Sequence, residues 1–247
     1  MHAVIVLPTY NERDNIEPFL RAVRAVCDAD VLVVDDNSPD GTADLAREVG
    51  SELGGVEVLQ REAKAGLGSA YRAGFDKVLG AVGDSAYDVV ISMDADLSHD
   101  PAALPAMLAL IDEGADAVIG SRYVRGGGTT DWPVRRQLLS KWGNAYTRRL
   151  LRLAPYDCTS GYRAYRASAL AAIAPHDATA EGYAFLTELV RRLTRHGYRI
   201  VETPIVFRDR TQGKSKMSGR IILESMVLVT RWGIADRLRP RRRSKRA

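Results

Sequence analysis

The sequence predicts one doubly wound α/β unit, a mostly parallel sheet with helices on both faces. Three observations carry this. Five short, β-branched apolar runs recur through the first half: AVIVLP, DVLVVDD, VEVLQR, DVVISMD and DAVIGS. Helical patterns separate them. Each run is apolar on both faces, as strands are when helices cover a parallel sheet from either side.

The elements follow in order. A polar NERDN start and the spacing of Ile16, Phe19, Leu20 and Val23 predict the first helix. Thr42, after SPDG, caps a second helix running to residue 53. The segment 67–79 follows AKAG as a third, and Pro101 opens a fourth that carries Leu104, Leu108 and Ile111. The second half is less regular. Gly126 to Gly128 predict a mobile loop, followed by a helix over 135–153, the stretch CTSGYRAYR and a helix over 183–196. A strand, RIVETPIVF, leads into the polar, basic RDRTQGKSKMSGR, and a last helical pattern covers 221–236. There is no internal repeat and no linker.

Of the 247 residues, 46% are hydrophobic and 27% charged, ordinary for a globular protein. The net charge of +4 is a property of one end. The last eleven residues hold seven Lys/Arg and no acid, which leaves −3 on the rest. That body argues against a nucleic-acid binder. The tail suits an anionic surface, although a solvated terminus has the same composition. Cys27 and Cys158 make neither a disulfide framework nor a metal cluster, pointing to a reducing, cytosolic compartment. MHAVIVLPTYNE lacks the basic segment and long apolar run of a signal peptide, and no stretch of about twenty apolar residues predicts a membrane span.

In open α/β sheets ligands bind at the carboxyl ends of the strands. The residues there are Pro8, Tyr10, Asn11 and Glu12; Asp35, Asp36, Asn37 and Ser38; Asp94, Asp96 and Ser98; Ser121 and Arg122. Asp94 and Asp96 fall on the same side of an extended chain. Two such carboxylates share a proton or a cation. Mg²⁺ or Mn²⁺ takes one or two carboxylates plus substrate phosphates, which lets an acidic site receive an anionic nucleotide. Ser98 adds an oxygen, directly or through water. Alone, Asp-x-Asp would equally suit solvated loop acids or caps for the helix at Pro101; beside PTYNE and DDNSPDGT it reads as a metal site. A dinucleotide fold is excluded, because PTYNERDN has no glycine and AGLGSAYRAG does not read G-x-G-x-x-G. No P-loop motif is present.

VLPTYNE, VVDDNSPDGT, MDADLSHDP, GSRY, TSGYRAYR and DRTQGKSK occur in that order. Together they resemble the family 2 glycosyltransferases, and within them the polyprenyl- or dolichyl-phosphate mannose synthases, over roughly residues 3–220. The resemblance implies the GT-A fold with its Rossmann-like sheet, a divalent metal (Mg²⁺ or Mn²⁺), a nucleotide-sugar donor and inversion at the anomeric carbon. It implies transfer of mannose from GDP-mannose to polyprenyl phosphate, with UDP-glucose or another UDP-sugar as the alternative donor. An alternative of another class is a non-catalytic, membrane-associated nucleotide-sugar-binding protein, which predicts a damaged Asp-x-Asp or missing cations.

By the same resemblance, Pro8, Tyr10 and Glu12 line the nucleotide site, and Val34 and Asp36 meet base and ribose. Asp94 and Asp96 hold the metal on the diphosphate, Ala95 contributes backbone, and Ser98 takes the third ligand position. Arg122, Arg210 and Lys216 resemble residues that bind the donor diphosphate or the acceptor phosphate. Arg136 and Ser140, in WPVRRQLLS, resemble the acceptor-phosphate clamp. Asp94, Asp96, Arg122 and Arg136 are thus the expected catalytic group.

Other positions have plainer readings. Glu12 and Asp36 also suit helix caps, and Lys64 and Gly68 line the nucleotide or shape a turn. Asp157 and Glu188 read as structural acids rather than bases. Arg135 is the surface member of its pair, and His99 and His176 are solvated or capping residues. The expected organisation is a catalytic domain over 1–220, an amphipathic helix over 221–236 and a disordered basic tail over 237–247. Ile221, Leu228 and Trp232 share one face of that helix, which suits either a membrane interface or ordinary core packing. The resemblance further implies a peripheral position on the cytoplasmic face of a membrane, with an integral-membrane partner protein.

Overall fold

The computed structural model describes residues 1–80, 86–209 and 219–238. The first half runs β1 (Ala3–Thr9), α1 (Arg13–Arg24), β2 (Asp30–Asp35), α2 (Thr42–Leu53), β3 (Val56–Gln60), α3 (Leu67–Leu79) and β4 (Val89–Ser92). A 3₁₀ turn at Pro101–Ala103 opens α4 (Leu104–Asp112), and β5 (Ala117–Ser121) follows. The second half runs β6 (Gly128–Thr129), α5 (Val134–Leu151), β7 (Arg163–Arg166), α6 (Ala167–Ala172), α7 (Gly182–His196), β8 (Ile200–Pro204), β9 (Val206–Phe207) and α8 (Gly219–Leu238).

Seven strands form the main sheet in the order β3-β2-β1-β4-β7-β5-β8. All neighbours are parallel except the two pairs made by β7, which runs antiparallel between β4 and β5. Strands β1, β2, β4 and β5 are apolar on both faces because both faces are covered, whereas the edge strands β3 and β8 are only partly buried. Ala3, Ile5 and Leu7 of β1 join one core with Ile16, Phe19 and Leu20 of α1, Ala46 of α2 and Met107 of α4. Val4 and Val6 point the other way, into a core with Tyr71 and Phe75 of α3 and Phe185 and Leu189 of α7. A third cluster joins Leu151, Cys158, Val190 and Val229, where α5, α7 and α8 meet.

Three local expectations are corrected, and one stretch that the sequence left unassigned takes a form. RAYR is a strand; it is too short and too polar at its ends to show period-two patterning. RIVETPIVF divides at Ile205: β8 stays in the main sheet, while β9 leaves it to pair with β6, so the triglycine stretch is partly a strand rather than only a loop. Thr42 does not cap α2. It is the first helical residue, and Asp40 accepts from its amide at 3.0 Å and its hydroxyl at 2.6 Å. On α8, Trp232 packs beside the third cluster, so that part of the expected interfacial face is a packing face, while Leu228 is half-buried and lines a groove with Leu223 and Val227. The side chain of Ile221 lies outside the described residues. Among the described residues no helix is long and apolar enough to cross a membrane.

Candidate active site

The strand order reverses between β1 and β4, where an open α/β sheet leaves a crevice at its carboxyl edge. On one side of it the ends of β1 and β2 are tied together. Asp35 accepts from the Thr9 hydroxyl at 2.9 Å and the Ser38 hydroxyl at 2.6 Å. Asn11 and Asn37 turn the chain there with φ of 58° and 57°, a left-handed backbone that Asn tolerates better than most residues. Pro8 lies within β1 beside Val34 of β2. Val34 is fully buried in the core, so only its backbone is available at the edge. Glu12 precedes α1 without capping it by side chain; its carboxylate accepts from Asn15 Nδ2 at 2.8 Å. Asp36 is no helix cap either: it pairs with Arg61 at 2.6 Å and accepts from the Ala65 amide at 3.3 Å. Lys64 lies 3.8 Å over the Tyr10 ring. The β3–α3 loop therefore closes over the residues expected to meet the nucleotide.

On the other side, β4 ends at Ser92 and the Asp-x-Asp lies beyond it, in a turn. The same-side argument for an extended chain therefore does not apply. Leu97 has a φ of 59°, costly for a branched side chain. It brings the Ser98 amide back to Asp96 Oδ1 at 3.1 Å. Ala95, Asp96 and Ser98 are buried, and Asp94 is half-buried. The Ser98 hydroxyl is buried with no hydrogen-bond partner among the described residues. Gly161 faces Asp94: a Cβ there would sit 3.3 Å from its Oδ2. His99 is neither solvated nor capping. It is 1% exposed, accepts from the Asp94 amide at 3.4 Å, and packs between the Tyr162 and Phe207 rings. Burial pushes the Tyr71 hydroxyl well above its usual range, and the charges of Asp94 and Asp96 act in the same direction.

Because β7 is antiparallel, the segment entering it lies at the same edge as the exits of its neighbours. It brings Asp157 to Arg122. The Arg122 Nε and Nη2 donate to the two Asp157 oxygens, each at 2.7 Å, and Nη2 also reaches Thr159 Oγ1 at 2.9 Å. Burial alone would raise the Asp157 carboxyl, but Arg122 outweighs it and holds Asp157 below the usual carboxylate value. The loop is fixed from behind by Arg163, a fully buried guanidinium that donates to the carbonyls of Cys158, Ser160 and Leu186 at 2.7, 2.7 and 2.5 Å. The buried Cys158 thiol is pushed up to about 12 and is inert as a nucleophile.

The expected phosphate-clamp residues meet around aromatic rings. Arg136 lies 3.9 Å over Trp132 and pairs with Asp209 at 2.9 Å, and Arg122 lies 5.6 Å from the same ring. The Tyr123 hydroxyl donates to Ser140 Oγ at 2.6 Å. Phe207 contacts both Trp132 and His99, joining this cluster to the Asp-x-Asp turn. Arg135 is exposed, as expected. Arg210 and Lys216 lie outside the described residues. Glu188 accepts from the Thr179 and Ala180 amides and pairs with Arg192 at 2.7 Å, a structural acid. His176 is exposed beside Asp177. Tyr123, Trp132, His99, Phe207 and Gly161 escaped sequence reasoning as site residues. GSRY and TSGYRAYR already contained two of them, but nothing in the sequence showed which rings would gather.

The sequence profile of glycosyl transferase family 2 matches residues 4–174. Polyprenol monophosphomannose synthase of Mycolicibacterium smegmatis is 46% identical over 237 residues, 95% of this chain and 88% of that protein. Undecaprenyl-phosphate mannosyltransferase of Micrococcus luteus is 48% identical over 238 residues, 96% of each. Among solved structures, glucosyl-3-phosphoglycerate synthase from Mycobacterium tuberculosis, in complex with Mn²⁺, UDP and phosphoglyceric acid, superposes with a TM-score of 0.62 at 20% identity, over 96% of this chain and 77% of that one. A mannosyltransferase from Pyrobaculum calidifontis, in complex with GDP-Man and Mn²⁺, gives 0.62 at 18% identity, over 97% and 64%. At these identities the solved structures speak to fold.

Proposed function

The chain belongs to glycosyl transferase family 2 and has the GT-A fold, and we propose that it transfers mannose from GDP-mannose to a polyprenyl phosphate. The observation that carries this reading is the junction at one sheet edge of an Asp-x-Asp turn with an arginine–aromatic cluster, through His99 and Phe207. The two relatives that cover nearly the whole chain carry names of polyprenyl-phosphate mannosyl transfer.

The donor set fits a hard divalent cation, Mg²⁺ or Mn²⁺. Asp94, Asp96 and the Ser98 hydroxyl are all oxygen donors, and no group of three His, Cys, Asp or Glu among the described residues makes a protein-only cage. Such an ion completes its shell with water and substrate phosphate. When bound, it would neutralise charge on the leaving nucleoside diphosphate. The chain's own work is positioning. Tyr10, Glu12 and Asp36, with the backbone at Pro8, Val34 and Ala95, would hold the nucleoside end. Arg122, Arg136 and Ser140 would receive the acceptor phosphate, with Arg210 and Lys216 on either phosphate.

The attacking oxygen belongs to a phosphate monoester whose second pKa is about 6. It is mostly dianionic at neutral pH and needs no strong base. It does need cations to approach a second anion, and the arginine fork suits phosphate. Asp157 and Glu188 are already committed to Arg122 and Arg192, which suits a base-free, inverting displacement. The reading includes a peripheral position on the cytoplasmic face of a membrane, with an integral-membrane partner. The test offers membranes and metal with labelled GDP-mannose, UDP-glucose or UDP-GlcNAc. Label from GDP-mannose should enter a mild-acid-labile lipid; label from a UDP-sugar instead would replace the donor, and binding without transfer would leave a nucleotide-sugar-binding protein.

A further inference from the structure

We infer that Asn144 is a positioning residue that holds the two halves of the acceptor-phosphate clamp in register, Arg136 and Ser140 on α5 and Arg122 beyond β5; this rests on those three residues receiving the acceptor phosphate. Arg136, Ser140 and Asn144 recur every four residues and so share one face of α5. Asn144 is the first buried side chain of that helix, 3% exposed, and every residue from Val134 to Gly143 is exposed or half-buried. The turns that carry the clamp therefore overhang the body. Toward the start of the helix, Arg136 and Ser140 meet the loop residues Trp132, Asp209 and Tyr123. Asn144 is where this face of the helix enters the protein.

The side-chain amide of Asn144 is fully engaged. Its Oδ1 accepts from the Cys158 amide at 2.8 Å, and its Nδ2 donates to the Ser140 carbonyl and to Thr159 Oγ1, each at 3.1 Å. The Thr159 hydroxyl also accepts from Arg122 Nη2 at 2.9 Å and donates to Asp157 Oδ1 at 3.3 Å. That fills the one donor and two acceptor positions of a hydroxyl. One chain of hydrogen bonds thus runs from the backbone at Ser140, through Asn144 and Thr159, to the guanidinium of Arg122. The loop it grips is held from behind: Arg163 and Thr187 donate to the Cys158 carbonyl, and Glu202 accepts from the Asp157 amide. Asn is a poor helix former, and burying an amide is costly unless it is hydrogen-bonded. A leucine here would cover the loop without fixing its register. The amide accepts from one loop residue and donates to the next, and such a satisfied network specifies one arrangement.

The test titrates geranyl phosphate into the full chain with GDP and Mn²⁺ by calorimetry, and follows mannose transfer to the same prenyl phosphate. Asn144→Ala and the nearly isosteric Thr159→Val should each weaken geranyl phosphate binding and raise its KM about tenfold. The Kd for GDP with Mn²⁺ should stay within about twofold of the parent, which also shows that each variant is folded. Thr159→Ser, which keeps the hydroxyl, should recover most of the loss. Unchanged acceptor affinity in both variants, or a loss that GDP shares equally, would overturn the inference while leaving the transferase reading intact. Thr159→Ser binding as weakly as Thr159→Val would also overturn it, because the hydroxyl would then not be the link. Selective loss of geranyl phosphate binding, in a parent that transfers no sugar, would support the positioning role and sink the transferase reading. A parent that does not bind geranyl phosphate would overturn the clamp and the inference together.

Discussion

Removing Asp157 should cost more than removing almost any other acid, because Arg122 would lose its counter-charge inside the protein. The two side chains are 8% and 0% exposed, and Asp157 accepts from the Arg122 amide, Nε and Nη2 and from the Ser160 amide. Breaking one partner of a buried pair typically costs about 3–5 kcal/mol. That is a large share of the roughly 5–15 kcal/mol that stabilises a domain. Asp157→Ala should therefore lower the urea midpoint by a large fraction, with the slope unchanged. Arg122→Ala/Asp157→Ala should cost less than the sum of the singles, since neither charge is then stranded. Acid should reveal the same pair. Asp157 has a lowered pKa in the fold, so its contribution is complete above the usual carboxylate value of 3.8 and disappears as pH falls through the lower folded value. A loss below about 1 kcal/mol for Asp157→Ala would refute the argument. So would an Asp157→Asn protein of parental stability with no turnover, because that would make Asp157 a base rather than a support for Arg122.

Three further perturbations separate site from scaffold. Asp94→Ala should abolish transfer, whereas Glu188→Gln, which keeps an acceptor for the Thr179 and Ala180 amides, should retain substantial activity; equal loss in both would sink the base-free mechanism. Gly161→Ala places a methyl 3.3 Å from Asp94 Oδ2, so the metal concentration for half-maximal transfer should rise several-fold with little change in melting temperature, and an unchanged metal requirement would count against Asp94 as a ligand. Trp132→Phe removes a buried N–H that has no acceptor among the described residues, together with part of the ring under Arg136, so the loss should be that of a small cavity, no more than about 1.5 kcal/mol. A loss above about 1.5 kcal/mol in chemical denaturation would mean that the N–H is satisfied after all.

The sheet edge was legible wherever residue type alone dictates conformation or chemistry. Apolar runs gave β1, β2, β4 and β5, and Ile16, Phe19, Leu20 and Val23 gave the buried face of α1, because burial on a fixed period leaves a local pattern. Positions set by long-range packing left none. Arg163 reads as a surface charge, yet it is fully buried because three carbonyls from two separate segments converge on it. His99 sits in a polar turn and is buried by Tyr162 and Phe207 from far along the chain. On α8 the helix was legible but its orientation was not. Leu223, Val227, Leu228 and Trp232 are all apolar, and only the position of α5 and α7 decides which of them is covered.

The antiparallel strand has a consequence for the order in which the molecule can be made. As β5 leaves the ribosome, β4 and β5 do not yet touch, and each has an apolar edge with unpaired amides and carbonyls. Both edges stay open until β7 arrives, and β7 cannot dock before α5 has been synthesised. Open edges of this kind recruit other chains, and long-range pairings form slowly. The first half is therefore an unlikely unit for truncation or independent folding, despite its regular strand–helix alternation. The clamp and the carboxylate turn come into existence together, late, when one short strand closes the gap between them.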